Sequence, residues 1–292
     1  MPGRCGSVDT LVKSEAVRHI GGFTTYIQAE ANVAYEDILL DKKDGVARIT
    51  INRPKVMNAF RGQTAEELID AFSDAGWDKS IGVIVLGGSG DRAFCTGGDQ
   101  SAHDGHYDGR GTVGMPVEQL HGVIREVPKP VIARVQGYAI GGGNVLATLC
   151  DLSIASEKAI FGQVGPKVGS VDPGWGTAYL AHIVGEKKAR EIWYLCRRYT
   201  AEQALQMGLC NVVVPHEQLD EEIDRWCAEI LEKSPTAIAI AKASFNAATD
   251  SIRGIGSLGF QALSLFYQTE ESKEGVKAFL EKRKPEFRKK PK

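Results

Sequence analysis

The chain has 292 residues, 43% hydrophobic and 25% charged, a balance that supports a buried core in one or two domains and excludes a disordered or low-complexity chain. Its 35 basic and 37 acidic side chains leave a formal charge of −2, and the one basic cluster is the tail Arg288, Lys289, Lys290 and Lys292, so no nucleic-acid footprint is expected. The longest apolar runs, such as Val83 to Leu86, fall far short of the roughly 18 residues that span a bilayer, and the first thirty residues lack a signal peptide's apolar core; a soluble, cytoplasmic protein without a membrane partner is expected.

Residues 1–33 mix charge with Gly21 and Gly22, show no clear period, and read as an extension. From Tyr35 the pattern sharpens, and residues 34–232 read as an α/β body. A strand is expected at Val46 to Ile51. Asn52-Arg53-Pro54 follows, then a helix opened by Thr64 with Glu67 three residues on, the spacing of a capping box; its apolar face is Ala65, Leu68, Ile69 and Phe72. A buried strand at Val83 to Leu86 runs into Gly87 to Gly90, a helix carries Val117, Leu120, Ile124 and Val127, and a third strand fills Val131 to Val135 after Pro128 and Pro130. Short strands follow at Leu152 to Ala155, Ile160 to Phe161 and Val212 to Val214, with helices in the stretch ending at Trp193 and in the one capped by Thr200 with Gln203 three on. Beyond Pro215 the period is helical: Leu219, Ile223, Trp226 and Ile230, then a stretch begun by Pro235, then Leu258 to Phe266 and Val276 to Leu280. Residues 233–292 thus form a helical C-terminal section whose apolar faces suit docking on a neighbouring subunit. The six cysteines (Cys5, Cys95, Cys150, Cys196, Cys210, Cys227) stand far apart without a C-x-x-C, which fits reduced, mostly buried thiols and implies no metal.

Two glycine-rich segments carry the chemistry: Phe94-Cys95-Thr96-Gly97-Gly98-Asp99-Gln100, and Gly137-Tyr138-Ala139-Ile140-Gly141-Gly142-Gly143-Asn144. Both follow predicted strands. Gly141 to Gly143 precede the apolar run Val145, Leu146, Leu149, so their N–H groups belong to the unpaired first turn of a helix and suit an oxyanion. The bland reading of either segment alone is a tight turn.

In Asn52-Arg53-Pro54 with Asn58-Ala59, Phe94 to Asp99, Pro128-Lys129-Pro130, Gly137 to Gly143, Cys150-Asp151 and Phe161-Gly162-Gln163, the sequence resembles the crotonase superfamily, the enoyl-CoA hydratase/isomerase fold, over nearly all of residues 35–292. The resemblance implies an α/β fold, a spiral of ββα turns with a helical C-terminal section. It also implies an acyl-CoA substrate whose thioester oxygen is gripped by two main-chain N–H groups, those of Gly98 and Gly142 here. By the same resemblance Met57, Thr96, Gly97, Asp99, Gln100 and Tyr138 fall among substrate- or CoA-binding positions, and a homotrimer or homohexamer is implied.

Where hydratases of this superfamily carry two catalytic glutamates, this chain has Val145 and Gly165, which cannot exchange a proton, so addition of water to an enoyl-CoA is not expected. The run Gln163-Val164-Gly165-Pro166-Lys167-Val168-Gly169-Ser170-Val171-Asp172 is instead similar to the active-site loop of 2-ketocyclohexanecarboxyl-CoA hydrolases and 1,4-dihydroxy-2-naphthoyl-CoA synthases. That likeness makes Ser170 and Asp172 candidates beside a reacting carbonyl: Asp172 can take a proton from water and Ser170 can position it. Read structurally, Asp172 caps a helix beginning near Trp175, and both roles can coexist. Tyr267 and Lys282 match C-terminal positions that in the synthases reach an active site, often the adjacent subunit's: the phenol to donate a proton, the ammonium to meet a CoA phosphate. Without the resemblance they read as a core tyrosine and a solvated lysine. Gln163, Gly165 and Trp193 match positions where some synthases hold a bicarbonate base. Val56-Met57-Asn58-Ala59-Phe60-Arg61 and His106-Tyr107-Asp108-Gly109-Arg110-Gly111 look like the hydrolase, with Arg110 placed either to meet an anionic intermediate or simply in solvent. His103, His106 and His121 have no partner at a diagnostic spacing and receive no role. Hydrolytic ring cleavage is therefore the leading expectation. Ring closure by a naphthoyl-CoA synthase, or a non-catalytic RNA-binding homologue, stands as the alternative.

Overall fold

Apolar runs alternate with glycine turns along the middle of the chain, and in the computed structural model each such unit becomes two strands and a helix. The structure describes residues 35–102 and 110–288, with the backbone of β1 (Ala16–Ile20) and β2 (Phe23–Ile27). β1 and β2 pair antiparallel within residues 1–35; the rest of the expected extension lies outside the described residues.

Glu36–Lys292 is one compact unit. It opens with β3 (Ile38–Lys43), β4 (Val46–Ile51) and helix α1 (Gly62–Trp77). Three ββα turns follow: β5 (Val83–Gly88), β6 (Ala93–Cys95) and α2 (Val117–Glu126); β7 (Val131–Val135), β8 (Tyr138–Ile140) and α3 (Gly142–Leu149); β9 (Leu152–Ser156), β10 (Ile160–Gly162) and α4 (Gly165–Val168). A π-helical turn at Trp175–Tyr179 leads to α5 (Leu180–Val184), α6 (Glu186–Leu195), β11 (Arg198–Thr200), α7 (Ala201–Gln206), β12 (Val212–Val214) and α8 (Leu219–Leu231). The C-terminal section is α9 (Pro235–Ala247), α10 (Ser251–Phe266) and α11 (Glu270–Leu280). Each turn adds one parallel strand to a large sheet, ordered β12-β9-β7-β5-β4-β3, and one to a small sheet, ordered β11-β10-β8-β6. This is the expected α/β spiral of ββα turns with helices at its C-terminus.

Parallel strands covered on both faces read as continuous apolar runs, and all six residues of β5 are buried. One face of the large sheet, through Val83, Val85, Ile132 and Ile154, packs on Leu219, Ile223 and Cys227 of α8. In β4 the alternation is cleaner: Ala47, Ile49 and Ile51 are buried, while Arg48 pairs with Asp224 on α8. The ladders of β6, β8 and β11 are only three residues each, too short to declare a period. Thr200 and Gln203 exchange the two expected capping bonds. Thr64, by contrast, is not a cap. α1 begins at Gly62; the Thr64 hydroxyl accepts from the Arg61 N–H and donates to Asp37 at 2.6 Å, and the Glu67 carboxylate accepts the N–H groups of Glu36 and Asp37. Tertiary contacts thus take the Glu67 carboxylate, and Thr64 serves the helix start from its third position rather than as the N-cap. The stretch ending near Trp193 is split into two helices at Gly185, whose φ is +82°. Cys95, Cys150, Cys196, Cys210 and Cys227 are free thiols; Cys5 lies outside the described residues. Among the described residues, no helix is long and apolar enough to cross a membrane.

Candidate active site

The first glycine turn is held by buried polar groups. Asn58, with φ +55° and 1% exposure, donates to the carbonyls of Ser89 and Ala93 and accepts from the Arg53 N–H. The Arg53 guanidinium pairs with Asp99 at 3.0 Å and Asp37 at 3.5 Å and donates to the Ala59 carbonyl. Residues 57–60 are thereby fixed against 93–99. Phe60 donates to the Gly97 carbonyl and accepts from the Asp99 N–H, a parallel bridge whose bonds use only Gly98's neighbours. The N–H of Gly98 therefore points to the other side of the segment.

The second donor stands at the start of α3. Gly141, at φ +58°, gives its N–H to the Gly162 carbonyl, which leaves Gly142 as the first helical residue with an N–H outside the helical ladder. The two turns meet backbone to backbone. A Cβ on Gly97 (φ +90°) would lie 2.9 Å from the Gly142 nitrogen, and one on Gly142 would lie 2.8 Å from the Phe60 ring. Among the described residues, neither the Gly98 nor the Gly142 N–H has an acceptor.

A cavity of about 680 Å³ opens at these turns, and Ser170, Asp172 and Tyr267 line it as well. Asp172 is 13% exposed; its Oδ1 accepts from the Gly176 N–H at 2.8 Å and its Oδ2 lies 3.8 Å from His121 Nε2. Burial pushes its carboxyl up to about 7, against the opposing pull of the Gly176 N–H. Asp172 thus accepts a first-turn N–H of the helical segment at Trp175–Tyr179 and lines the cavity as well. Ser170 Oγ and Tyr267 Oη are 2.7 Å apart, and burial, partly offset by that bond, raises the phenol's pKa. The loop bearing Ser170 is tied to the C-terminal helices: Ser272 donates to the Gly169 carbonyl at 2.8 Å, and Gly169 (φ +71°) leaves no room for a Cβ beside the Ser272 carbonyl.

Met57, Thr96, Gly97, Gln100, Tyr138, Gln163, Gly165 and Trp193 also line the cavity. Their local jobs differ. Thr96 donates to the Met57 carbonyl at 3.2 Å. Asp99 caps Ser101 and pairs with Arg53; burial opposes its charge, yet these bonds hold its pKa below the usual range, so it is a strut and not a free base. The missing Cβ of Gly165 accommodates the Ser170 carbonyl and the Trp193 ring, and the Trp193 indole donates to the Gly176 carbonyl. Gln163, 1% exposed, has no partner for either amide atom among the described residues.

Two candidates are not brought into this cavity. Arg110 is exposed and paired with Glu66 on α1, and it is not one of the residues that line the cavity. Lys282 is exposed just beyond α11, with φ +54°, and Phe279 and Leu280 take the lining positions instead. His103 and His106 lie outside the described residues. Sequence reasoning missed Lys167 and Arg198, cations lining the cavity, the latter 5.4 Å over the Tyr138 ring. It also passed over His121, whose signal was its place on the apolar face of α2 with Val117, Leu120 and Ile124.

The family model described as enoyl-CoA hydratase/isomerase matches residues 41–290. The solved structure of an enoyl-CoA hydratase from Mycobacterium avium subsp. paratuberculosis is similar at 30% identity and a TM-score of 0.79, covering 88% of this chain and 100% of that one. Subunit I of a Geobacillus kaustophilus enoyl-CoA hydratase is 34% identical, with a TM-score of 0.66 over 88% of this chain and 99% of its own. An enoyl-CoA hydratase/isomerase from Pseudoalteromonas atlantica is 25% identical, with a TM-score of 0.79 over 87% and 100%.

Proposed function

The chain belongs to the enoyl-CoA hydratase/isomerase family, and on that premise we propose that it hydrolyses the ring of a cyclic β-ketoacyl-CoA, converting 2-ketocyclohexanecarboxyl-CoA to pimeloyl-CoA. Processing of an acyl-CoA comes with the family; the ring cleavage is the step argued here. One observation carries it. Of the two carboxylates that line the cavity among the described residues, Asp99 is neutralised by Arg53, while Asp172, with its pKa near 7, shares the space with the unpaired N–H groups of Gly98 and Gly142. Val145 and Gly165 supply no carboxylate for hydration of a double bond.

In this scheme the thioester oxygen lies between the N–H groups of Gly98 and Gly142. Asp172 takes a proton from water as the hydroxyl adds to the ring ketone, and the Ser170–Tyr267 pair hydrogen-bonds the resulting alkoxide. The bond between the ketone carbon and the α-carbon breaks. Its electrons pass to the thioester as an enolate, and the former ketone carbon becomes a carboxylic acid. The proton held by Asp172 returns to the α-carbon, so the sum is substrate plus one water. Each N–H stabilises the enolate oxygen, and losing one donor in comparable sites costs about 3 to 4 kcal/mol of barrier.

The buried Gln163 amide would hold a bicarbonate, which would supply a base there, and no step of the scheme runs through it. Turnover in carbonate-free buffer tests that part. Ile240, Phe245, Leu258 and Leu265, exposed on α9 and α10, support the extension of the proposal to a homotrimer or homohexamer, which light scattering checks. The activity itself is tested by mass spectrometry: the product must gain one water and keep its CoA. Free CoA with an unopened ring acid would defeat the proposal, and dehydrating ring closure of o-succinylbenzoyl-CoA would assign the site to a naphthoyl-CoA synthase.

A further inference from the structure

His121 lies on the buried face of α2, 1% exposed, with Nε2 3.8 Å from Asp172 Oδ2. The Phe260 ring of α10 covers it at a centroid distance of 6.2 Å, and among the described residues Nδ1 has no partner. A buried imidazole in this setting has two neutral tautomers. An orphaned N–H costs more than an orphaned lone pair, so the proton belongs on Nε2, the nitrogen that has an acceptor in front of it. The tautomer follows from these surroundings.

We propose that His121 is a positioning residue for Asp172: its Nε2–H is aimed at Oδ2, orienting the carboxylate and favouring its ionised form for removal of a proton from water. This rests on the base role given to Asp172 above. The contact is about 1 Å longer than a hydrogen bond, a gap of the kind that closes when a site engages its substrate. Oδ1 is already held by the Gly176 N–H, so a second donor at Oδ2 fixes the plane of the carboxylate. Among the described residues, Ser170 and Tyr267 line the same cavity as Asp172, and their hydroxyls bond each other. Arg125, one turn further along α2, is turned aside, its guanidinium 4.6 Å over the Tyr179 ring and bonded to Tyr179 Oη and Thr249. Burial lowers the His121 pKa to about 3, so the imidazole stays neutral through the working range and contributes a fixed dipole rather than a charge.

The test reads Asp172 directly. The infrared carbonyl band of the protonated acid, identified by its absence in Asp172→Asn, is titrated in wild type, His121→Phe and His121→Asn. The expected midpoint rises by about one pH unit in His121→Phe, where the donor is gone, and stays near the wild-type value in His121→Asn, which keeps an N–H. The acid limb of kcat/KM moves with the midpoint. Should His121→Phe fail to fold, nitrogen NMR of the wild type decides: the His121 ring signals must shift with the Asp172 midpoint and lose that shift in Asp172→Asn. Equal midpoints in the three proteins, or a His121 signal blind to Asp172, overturn the proposal. A midpoint that moves in a protein that does not open the ring would leave the positioning intact and refute the assigned reaction.

Discussion

Replacing Asp172 by asparagine should make the protein more stable and nearly inactive. The folded carboxyl is held at about 7, against 3.8 for an ordinary aspartate, chiefly because burial penalises the charge. Between those two values the unfolded chain releases this proton while the folded chain keeps it. The stability it contributes is therefore complete below pH 3.8 and lost as the pH rises through about 7. About three pH units at roughly 1.36 kcal/mol each correspond to about 4 kcal/mol, an upper bound because water in the cavity relaxes the penalty. Asparagine never ionises and still offers an oxygen to the Gly176 N–H. Thermal unfolding of Asp172→Asn near pH 8 should show a Tm raised by several degrees, on the order of 2–4 °C per kcal/mol for a chain of this size, and the gain should shrink toward about pH 4. Turnover should fall by about 10²- to 10⁴-fold with acyl-CoA binding nearly intact. In the wild type, kcat/KM should decline below about pH 7 as the base is protonated. A variant that is less stable than wild type near pH 8, or that turns over at wild-type rates, would refute this reasoning.

Three other changes separate site from scaffold. Gly142→Ala puts a Cβ 2.8 Å from the Phe60 ring; displacement of α3 should lower kcat by about 10²- to 10³-fold, and an unchanged kcat would count against the oxyanion role. Tyr267→Phe removes the 2.7 Å bond to Ser170 and should reduce kcat about tenfold with KM little altered, measured by steady-state kinetics on the ring substrate. Lys242→Met leaves Asp151 and the carbonyls of Ile124 and Lys129 without their shared ammonium, so urea unfolding should show a loss of about 3 kcal/mol while the folded enzyme keeps its rate.

Much of the fold was legible because parallel strands buried on both faces leave unbroken apolar runs, as at Val83–Gly88, and because the terminal helices repeat at 3.6 residues. The three-residue strands left no such mark, and Thr64 with Glu67 imitated a cap while serving Asp37 and its neighbour. The candidate site divides in the same way. Gly98, Gly142, Ser170, Asp172 and Tyr267 could be marked from their motifs, and they do meet in one cavity. Arg110 and Lys282 could not be placed, because the reach of a long side chain depends on which neighbour it finds; Arg110 found Glu66.

The order of residues alone determined the alternation of strand and helix, the pair of glycine turns, and the loss of carboxylates at Val145 and Gly165. Only the folded chain decided which polar groups would be left unpaired. Asp99 and Asp172 are the same residue type, yet Arg53 neutralises one and burial beside a neutral His121 raises the other toward 7. The reason is that a carboxyl group's affinity for its proton is set by the dielectric and the dipoles packed around it. Beside the nearby N–H of Gly176, those come from segments distant in sequence, here α2 and the end of α10.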